Sequence, residues 1–269
     1  MTLYLDKYGK SFEKKMIDFI HSRYSGEMGE IIEYALMSGG IRLRPVMMAV
    51  LGEDLGIDEQ LPFPGALAIE FIHNYSLIQD DLPAFDDDQY RRGRPSVHKQ
   101  FGEYKAILAS DVLITEAMSL FALLPYSGRI MGLVNNAAGF KGLLMGQYLD
   151  MERSFTELKD LYEMYGLKTG KLFEIAFSIP YIIAELESEV ELATQSAKAF
   201  GIAFQIHNDL KSKDGDKGIL KILNREEASG EYEKYIKKAQ GIFELIHNQN
   251  ARGCFKEIWS ALEETKNVT

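Results

Sequence analysis

One segment constrains the fold more than any other. Residues 66–78, ALAIEFIHNYSLI, are apolar nearly all the way round a helix. A helix of that kind lies inside a bundle, because each of its faces needs an apolar neighbour. Its polar side chains then need partners if they are buried. These polar residues are Glu70, His73, Asn74 and Ser76.

The rest of the chain places apolar residues three to four positions apart, which is typical of amphipathic helices. The pattern is clearest over residues 106–124, 158–177 and 190–210. Alternation over the length of a strand is scarce, and no hairpin dipeptide joins two alternating runs. We therefore predict an all-α fold, with a single domain over residues 1–269 and about ten to thirteen helices.

Charge and composition exclude some function classes. Lys and Arg number 30 and Asp and Glu number 40, so the formal net charge is −10. That charge repels a phosphate backbone, and we predict no nucleic-acid partner. No run of roughly 18 apolar residues is present, which predicts no transmembrane segment. The first twenty residues lack a signal peptide's apolar stretch, and Cys254 is the single cysteine. Both features favour a cytoplasmic location.

Five aspartates follow the central apolar helix within QDDLPAFDDD, residues 79–88. Carboxylates this close repel one another unless a cation lies between them, and Mg²⁺ prefers one or two carboxylates together with substrate phosphates. On an unbroken helix, Asp80 and Asp86 would lie about 240° apart. Pro83 disfavours helix at Leu82, and a kink there can return Asp86 to Asp80. A solvated acidic turn is the alternative.

Three arginines follow directly in QYRRGRP, residues 89–95. They can form surface ion pairs with the aspartates, each of which contributes little. The functional alternative is that guanidinium groups and metal ions together bind a polyanion such as a diphosphate.

These motifs resemble the trans-prenyl diphosphate synthases, the polyprenyl synthetase family. The resemblance rests on GGIRLRP at residues 39–45, on His73, and on DDLPAFD and RRG at residues 80–86 and 91–93. It continues in the same order with GLLMGQYLD, KTG and FQI, at residues 142–150, 168–170 and 204–206. The resemblance spans roughly residues 30–225. It implies an isoprenoid synthase type of bundle around a central cavity, a homodimer, and a prenyl diphosphate substrate.

The resemblance also implies roles for individual residues. Mg²⁺ would be the cofactor, with three ions when substrate is bound and Mn²⁺ as an alternative. Asp80, Asp81 and Asp86 would hold metal, and Arg91 and Lys168 would join Asp80 and Asp86 as catalytic groups on the allylic diphosphate. Thr169 and Gln205 would line the allylic site. Isopentenyl diphosphate would lie against Arg44, His73 and Arg92.

Aromatic side chains would surround the hydrocarbon and stabilise an allylic cation by cation–π attraction. The candidates are Phe71, Tyr75, Phe85, Tyr148 and Phe204; ordinary core packing is the alternative for each. Tyr75 lies five positions before Asp80, where a bulky residue limits chain length in the family. The resemblance thus implies a short hydrocarbon of about fifteen to twenty carbons.

Two departures from the family pattern are conspicuous. Ile41 stands where the family has a lysine on isopentenyl diphosphate. The second metal motif, Asp-Asp-x-x-Asp in the family, retains only its middle aspartate here. Asn208, Ser212 and Asp216 are spaced i, i+4 and i+8, which would align them on one helix face. That spacing resembles the Asn/Ser/Glu metal triad of class I terpene synthases. Lys217 matches a phosphate-binding lysine weakly, and an exposed loop lysine is the alternative.

Three functions remain open at this point. Because Ile41 and the Asn208/Ser212 pair both weaken condensation, we favour a terpene-synthase-like lyase that ionises an allylic diphosphate. The alternative is a short-chain prenyltransferase that condenses an allylic diphosphate with isopentenyl diphosphate. The third is a non-catalytic partner subunit of such an enzyme.

Overall fold

The computed structural model describes residues 3–152, 154–212 and 217–246. Its helices are α1 Leu3–Arg23, α2 Gly26–Leu36, α3 Leu43–Asp54, α4 Phe63–Asp80, α5 Val97–Phe101, α6 Glu103–Phe121, α7 Ser127–Ala138, α8 Leu143–Glu152, α9 Leu158–Tyr165, α10 Lys171–Ile183, α11 Glu187–Lys211 and α12 Arg225–Glu244. A π-helical turn at Gly166–Gly170 joins α9 to α10, and a 3₁₀ turn spans Gly218–Lys221.

Helix α4 is the central helix that residues 66–78 predict. It packs against α3, α6 and α10, and most of its residues are buried. Pro64 lies in its first turn, where a missing backbone N–H costs nothing. The helix ends at Asp80, three residues before Pro83, in agreement with the predicted break. Its polar residues Glu70 and Asn74 are buried and hydrogen-bonded to each other.

The opposite side of the bundle is built from α10, α11 and α12, which pack on one another. An aromatic group joins α10 to α11: the Phe173 ring lies 4.9 Å from Phe200 and 5.4 Å from Phe204, both edge to face. The π-helical turn contacts both α8 and α11. Residues of the π-helical turn therefore lie between α8 and the side of the bundle that α11 belongs to.

The all-α prediction is confirmed, with α1–α12 in the part of the chain that the structure describes. One small exception is an antiparallel ladder of two-residue strands, β1 Tyr90–Arg91 and β2 Arg94–Pro95. Buried apolar residues from Phe12 to Ile246 form one connected core. The single domain over residues 1–269 stays a prediction. Over the described ranges, no helix has the length and apolarity needed to cross a bilayer.

Candidate active site

A cavity of about 490 Å³ lies between the two halves of the bundle. One face of α4 lines it through Glu70, His73, Leu77 and Asp80, positions that follow the three-to-four residue helical spacing. Most of the remaining lining comes from the 39–45 loop, the segment after α4, α8, the π-helical turn and α11, and Leu172 and Lys217 complete it. The cavity is therefore the point at which the separate sequence motifs meet.

The turn after α4 brings Asp86 back to Asp80. The backbone N–H of Asp86 donates to the carbonyl oxygen of Asp80 at 3.0 Å, and both residues line the cavity. Asp80 is 9% exposed, and this burial raises the pKa of its carboxyl to about 6; Lys168 opposes the shift and Asp86 adds to it. Asp86 is exposed beside the buried Asp80, and two neighbouring carboxyls favour a cation between them.

Lys168 supplies one positive charge at this place. Its Nζ lies 3.8 Å from Asp80 and donates to Asp150 at 2.7 Å. Burial opposes its protonation, but Asp80 and Asp150 outweigh burial and raise the pKa of Lys168. The residue lies in the π-helical turn, an irregularity that is frequent at functional sites.

Asp81 does not share the position of Asp80. Its carboxylate accepts from Arg91, whose Nε lies 2.9 Å away, and it is buried outside the cavity lining. Arg91 also contacts Asp88 at 3.1 Å and lines the cavity itself. The structure therefore places Asp81 as a carboxylate that orients Arg91 outside the cavity lining, and its assignment as a metal ligand stays a prediction.

A second group of cations lies around His73. Arg44 is 8% exposed, and burial lowers the pKa of its guanidinium to about 10. Its Nε has no hydrogen-bond partner among the described residues. Burial, and then Arg44 and Arg92, lower the pKa of His73. Arg92 donates to the carbonyl of Gly39, directly beside the 39–45 loop.

Gly40 is required where this loop meets Arg92. Its φ of +118° is a conformation that L side chains rarely adopt, and a Cβ there would lie 2.7 Å from the Arg92 guanidinium. Ile41 follows in the cavity lining and is 46% exposed. The pocket that the resemblance assigns to isopentenyl diphosphate thus keeps Arg44, His73 and Arg92 and lacks only the lysine.

Arg42 forms a buried network that the sequence did not reveal. Its Nη1 donates to Glu70 at 2.6 Å, its Nε to Glu13 at 3.0 Å, and its Nη2 to the carbonyl of Leu36 at 2.5 Å. The residue has a positive φ of 50°. Three helices, α1, α2 and α4, thus supply the acceptors for one guanidinium that fixes the loop carrying Ile41 and Arg44.

The second motif has a geometry different from the one predicted. Asn208 is exposed on α11 and lines the cavity. The helix ends at Lys211, and Ser212 is extended with ψ of 133°, outside the cavity lining. Arg225 holds this end by donating to the carbonyls of Leu210 and Ser212 at 2.6 and 2.9 Å. The predicted alignment of Ser212 with Asn208 on one helix is wrong.

The remaining candidates on this side divide into two groups. Thr169 and Gln205 line the cavity and share a hydrogen bond of 3.1 Å. Lys217 also lines the cavity and is exposed. Asp216 lies outside the described residues. These observations place Asn208 and Lys217 at the cavity, and the assignment of Ser212 as a metal ligand stays a prediction without the helical alignment that suggested it.

Most of the aromatic candidates do not reach the cavity. Phe71 is fully buried against Phe19, with ring centroids 6.1 Å apart, and Tyr75 is buried near Gln79 and Asp111. Neither lines the cavity, and the assignment of both as substrate contacts stays a prediction. The same holds for Phe85 and Tyr148, whereas Phe204 does line it.

Two residues on α8 belong to the site and were not assigned from sequence. Asp150 pairs with Lys168, and Gln147 lines the cavity one turn earlier with both amide atoms buried and unpaired among the described residues. Both stand in the GLLMGQYLD landmark. Gln147 and Asp150 are three positions apart, which places them on the same face of α8. That spacing was the sequence signal that could have identified them together.

Comparison with known proteins identifies the family. The polyprenyl synthetase model matches residues 26–224. The chain belongs to the polyprenyl synthetase family. It is 38% identical over 197 residues to farnesyl diphosphate synthase of Haemophilus influenzae, covering 70% of this chain and 67% of that protein. Alignments with such curated relatives span about two thirds of their length.

Solved structures agree over nearly the whole chain. A geranyltransferase from Legionella pneumophila superposes with a TM-score of 0.89 at 28% identity, covering 98% of this chain and 97% of that one. A geranyltranstransferase from Thermotoga maritima gives 0.87 at 30% identity, with 97% and 99% covered. These relatives are named for prenyl transfer, so the comparisons support the prenyltransferase alternative better than the lyase that we favoured from the two departures.

Proposed function

We propose that this polyprenyl synthetase is a short-chain trans-prenyltransferase that condenses an allylic prenyl diphosphate with isopentenyl diphosphate. The observation that carries the proposal is the pocket around Arg44, His73 and Arg92, which borders the same cavity as Asp80 and Asp86. A lyase needs only the site at Asp80 and Asp86, where the allylic diphosphate would bind. A non-catalytic subunit needs neither.

The allylic diphosphate would lie against Asp80, Asp86, Arg91 and Lys168. Two carboxylates facing one cavity fit Mg²⁺, which binds through one or two carboxylates and substrate phosphates. The described residues contain no group of three His, Cys, Asp or Glu that would cage a metal without substrate. Asn208 would add a neutral oxygen from α11. When bound, Mg²⁺ would neutralise charge on the departing diphosphate.

The protein's own groups then determine what happens at the reacting carbon. Lys168 and Arg91 stabilise the diphosphate as the allylic C–O bond breaks and the electron pair leaves with oxygen. Arg44, Arg92 and neutral His73 hold the second diphosphate, so that the isopentenyl double bond lies within reach of the allylic cation. The new C–C bond forms there, and the proton lost from the isopentenyl unit passes to the diphosphate that has departed.

Ile41 weakens this pocket without removing it. Three cationic or hydrogen-bonding side chains remain where the family uses four. We therefore propose a lower affinity for isopentenyl diphosphate than a lysine at this position would give. The length of the product stays a prediction of about fifteen to twenty carbons, because Tyr75 lies outside the cavity lining in this structure.

We also propose a homodimer. Helix α6 exposes Tyr104, Ile107 and Leu108, and α8 exposes Leu144 and Tyr148. On each helix these residues follow a three-to-four residue spacing, which makes an apolar stripe of the kind that pairs with another chain. Light scattering after size exclusion should give twice the 30.5 kDa chain mass. Cytoplasmic location and the absence of a nucleic-acid partner stay predictions.

Product analysis tests the proposed activity. The chain is incubated with Mg²⁺ and dimethylallyl, geranyl or farnesyl diphosphate, each with and without isopentenyl diphosphate. We expect a longer prenyl diphosphate only when both substrates are present. Release of a hydrocarbon or alcohol without isopentenyl diphosphate would support the lyase instead. Absence of turnover with intact Mg²⁺ and pyrophosphate binding would support the partner subunit.

A further inference from the structure

Asp209 is the one aspartate that remains in the second motif, yet it does not line the cavity. It is 7% exposed. Both flanking motif positions, Asn208 and Ser212, have lost their carboxylates. A residue retained only for metal binding would face the cavity, and this one faces the protein interior.

Its carboxylate is occupied by three donors. Oδ2 accepts from the hydroxyl of Tyr165 and from the backbone N–H of Ile219 at 3.1 Å, and Oδ1 accepts from Nε2 of Gln205 at 3.2 Å. The chain also closes over it, because a Cβ at Gly218 would collide with both Asp209 and Tyr165. Few lone pairs are left for a metal ion.

This arrangement determines the orientation of a neighbouring amide. An ionised carboxylate only accepts hydrogen bonds, so the Gln205 atom facing Asp209 must be its nitrogen. The carboxamide oxygen must then point the other way, where it accepts from Thr169 Oγ1 at 3.1 Å. Gln205 and Thr169 both line the cavity. Without Asp209, either end of the amide could face Thr169.

We propose that Asp209 is a positioning residue that holds the Gln205 carboxamide with its oxygen on the Thr169 side of the cavity. This inference rests on the proposed prenyl transfer. As the allylic C–O bond breaks, the electron pair departs with the diphosphate and positive charge develops on the allylic carbon. The partial negative charge on the fixed amide oxygen stabilises that carbon without forming a bond to it.

Asp209→Asn tests the inference because an Asn side chain can donate as well as accept. Gln205 is then free to reverse. We expect kcat to fall at least about tenfold, while the KM for the allylic diphosphate and the Mg²⁺ concentration for half-maximal rate stay within about twofold. A marked rise in the Mg²⁺ requirement would overturn the proposal, because it would identify Asp209 as a metal ligand.

Tyr165→Phe is the matched control. It removes a hydrogen bond from the other oxygen of the same carboxylate and leaves the Gln205 contact in place. We expect a lower melting temperature with kcat within about twofold of wild type. A loss of kcat equal to that of Asp209→Asn would show that Asp209 supports the fold alone, and would overturn the proposal.

A double-mutant cycle with Gln205→Leu asks whether Asp209 acts through the amide. If it does, the double variant should be no slower than Gln205→Leu alone. Losses that multiply would contradict the proposal. The cycle distinguishes a positioning role from a general structural one. If Asp209 acts by positioning the amide, the effect of Asp209→Asn on kcat disappears once Gln205 is Leu, whereas a general structural effect remains.

A measurement on the unmodified protein separates this inference from the proposed function. The Nε2 protons of Gln205, observed by ¹⁵N NMR, should exchange slowly with solvent because they are held by a buried carboxylate. Rapid exchange would overturn the orientation even if prenyl transfer is observed. Slow exchange without prenyl transfer would sustain the orientation and contradict the proposed function alone. This readout also holds if Asp209→Asn fails to fold.

Discussion

The two sides of the cavity differ in whether their acidic side chains face the cavity or the protein interior. On the α4 side, Asp80 and Asp86 face the cavity and Asp81 orients Arg91. On the α11 side, the acid that remains, Asp209, turns inward, and the residue facing the cavity is the neutral Asn208. Among the described residues, the proposed anionic metal ligands thus lie on one side of the cavity, and the proposed contribution of the other side is a neutral oxygen and the orientation of an amide.

The number of aspartates in a motif is therefore a poor guide to how many of them face the cavity. Asp81 and Asp209 belong to metal motifs by sequence, yet each is satisfied by protein donors. The second motif has lost two of the family's three aspartates. The one that remains, Asp209, accepts hydrogen bonds within the protein. Four substitutions test whether the two sides of the cavity differ in this way.

The largest effect is expected from Asp80→Asn on the acidic side. Losing the buried carboxylate removes a metal ligand, and we expect kcat to fall at least about 100-fold. Asp18→Asn, an exposed position on α1, is the matched control and should have wild-type activity. Retention of half the activity or more in Asp80→Asn would invalidate the assignment of this side to the metal.

Lys168→Gln should come next. Its ammonium lies between Asp80 and Asp150, and its loss leaves those carboxylates uncompensated and removes a cation from the leaving diphosphate. A charge-assisted contact of about 1.5–3 kcal/mol corresponds to roughly a 10- to 100-fold fall in kcat. Lys198→Gln on the exposed face of α11 is the control, measured in the same steady-state assay. Equal rates in the two variants would rule out the role of Lys168.

Ile41→Lys tests the pocket on the α4 side that has lost a charge. A lysine there should lower the KM for isopentenyl diphosphate about tenfold, less than a buried charge would give because the position is half-exposed. The KM for the allylic diphosphate should not change. Ile41→Met, which keeps an apolar chain, is the control; an equal improvement in that variant would count against a charge effect.

Asn208→Asp should have the smallest effect. A carboxylate restored on the α11 side should lower the Mg²⁺ concentration for half-maximal rate by about three- to fivefold, because a charged oxygen replaces a neutral one. Asn136→Asp, exposed on α7, is the control for added negative charge. An unchanged Mg²⁺ requirement would mean that Asn208 does not approach the metal.

The fold and the acidic side of the site could be predicted from local sequence. The apolar surround of residues 66–78 identified the central helix, and Pro83 identified its end and the return of Asp86. Phe71 and Tyr75 on the same helix lie outside the cavity lining, and their contact with substrate stays a prediction. A helix that is buried on every side gives no information on which face borders the cavity, and the structure assigns that face to Glu70, His73 and Asp80.

The α11 side could not be predicted because long-range contacts decide it. The alignment of Asn208 with Ser212 assumed a helix beyond Lys211, whereas Arg225, thirteen residues after Ser212, holds the chain in its non-helical course. The inward turn of Asp209 depends on Tyr165 and Ile219, which are distant in sequence. Arg42 likewise finds its hydrogen-bond partners on three separate helices, α1, α2 and α4.

The dependence of reaction rate on isopentenyl diphosphate tests the central claim most directly. Pyrophosphate release from geranyl diphosphate is measured at saturating Mg²⁺ while isopentenyl diphosphate is varied from zero. If Arg44, His73 and Arg92 hold a second substrate, the rate should rise from near zero and saturate. A rate that is already maximal without isopentenyl diphosphate would contradict the account.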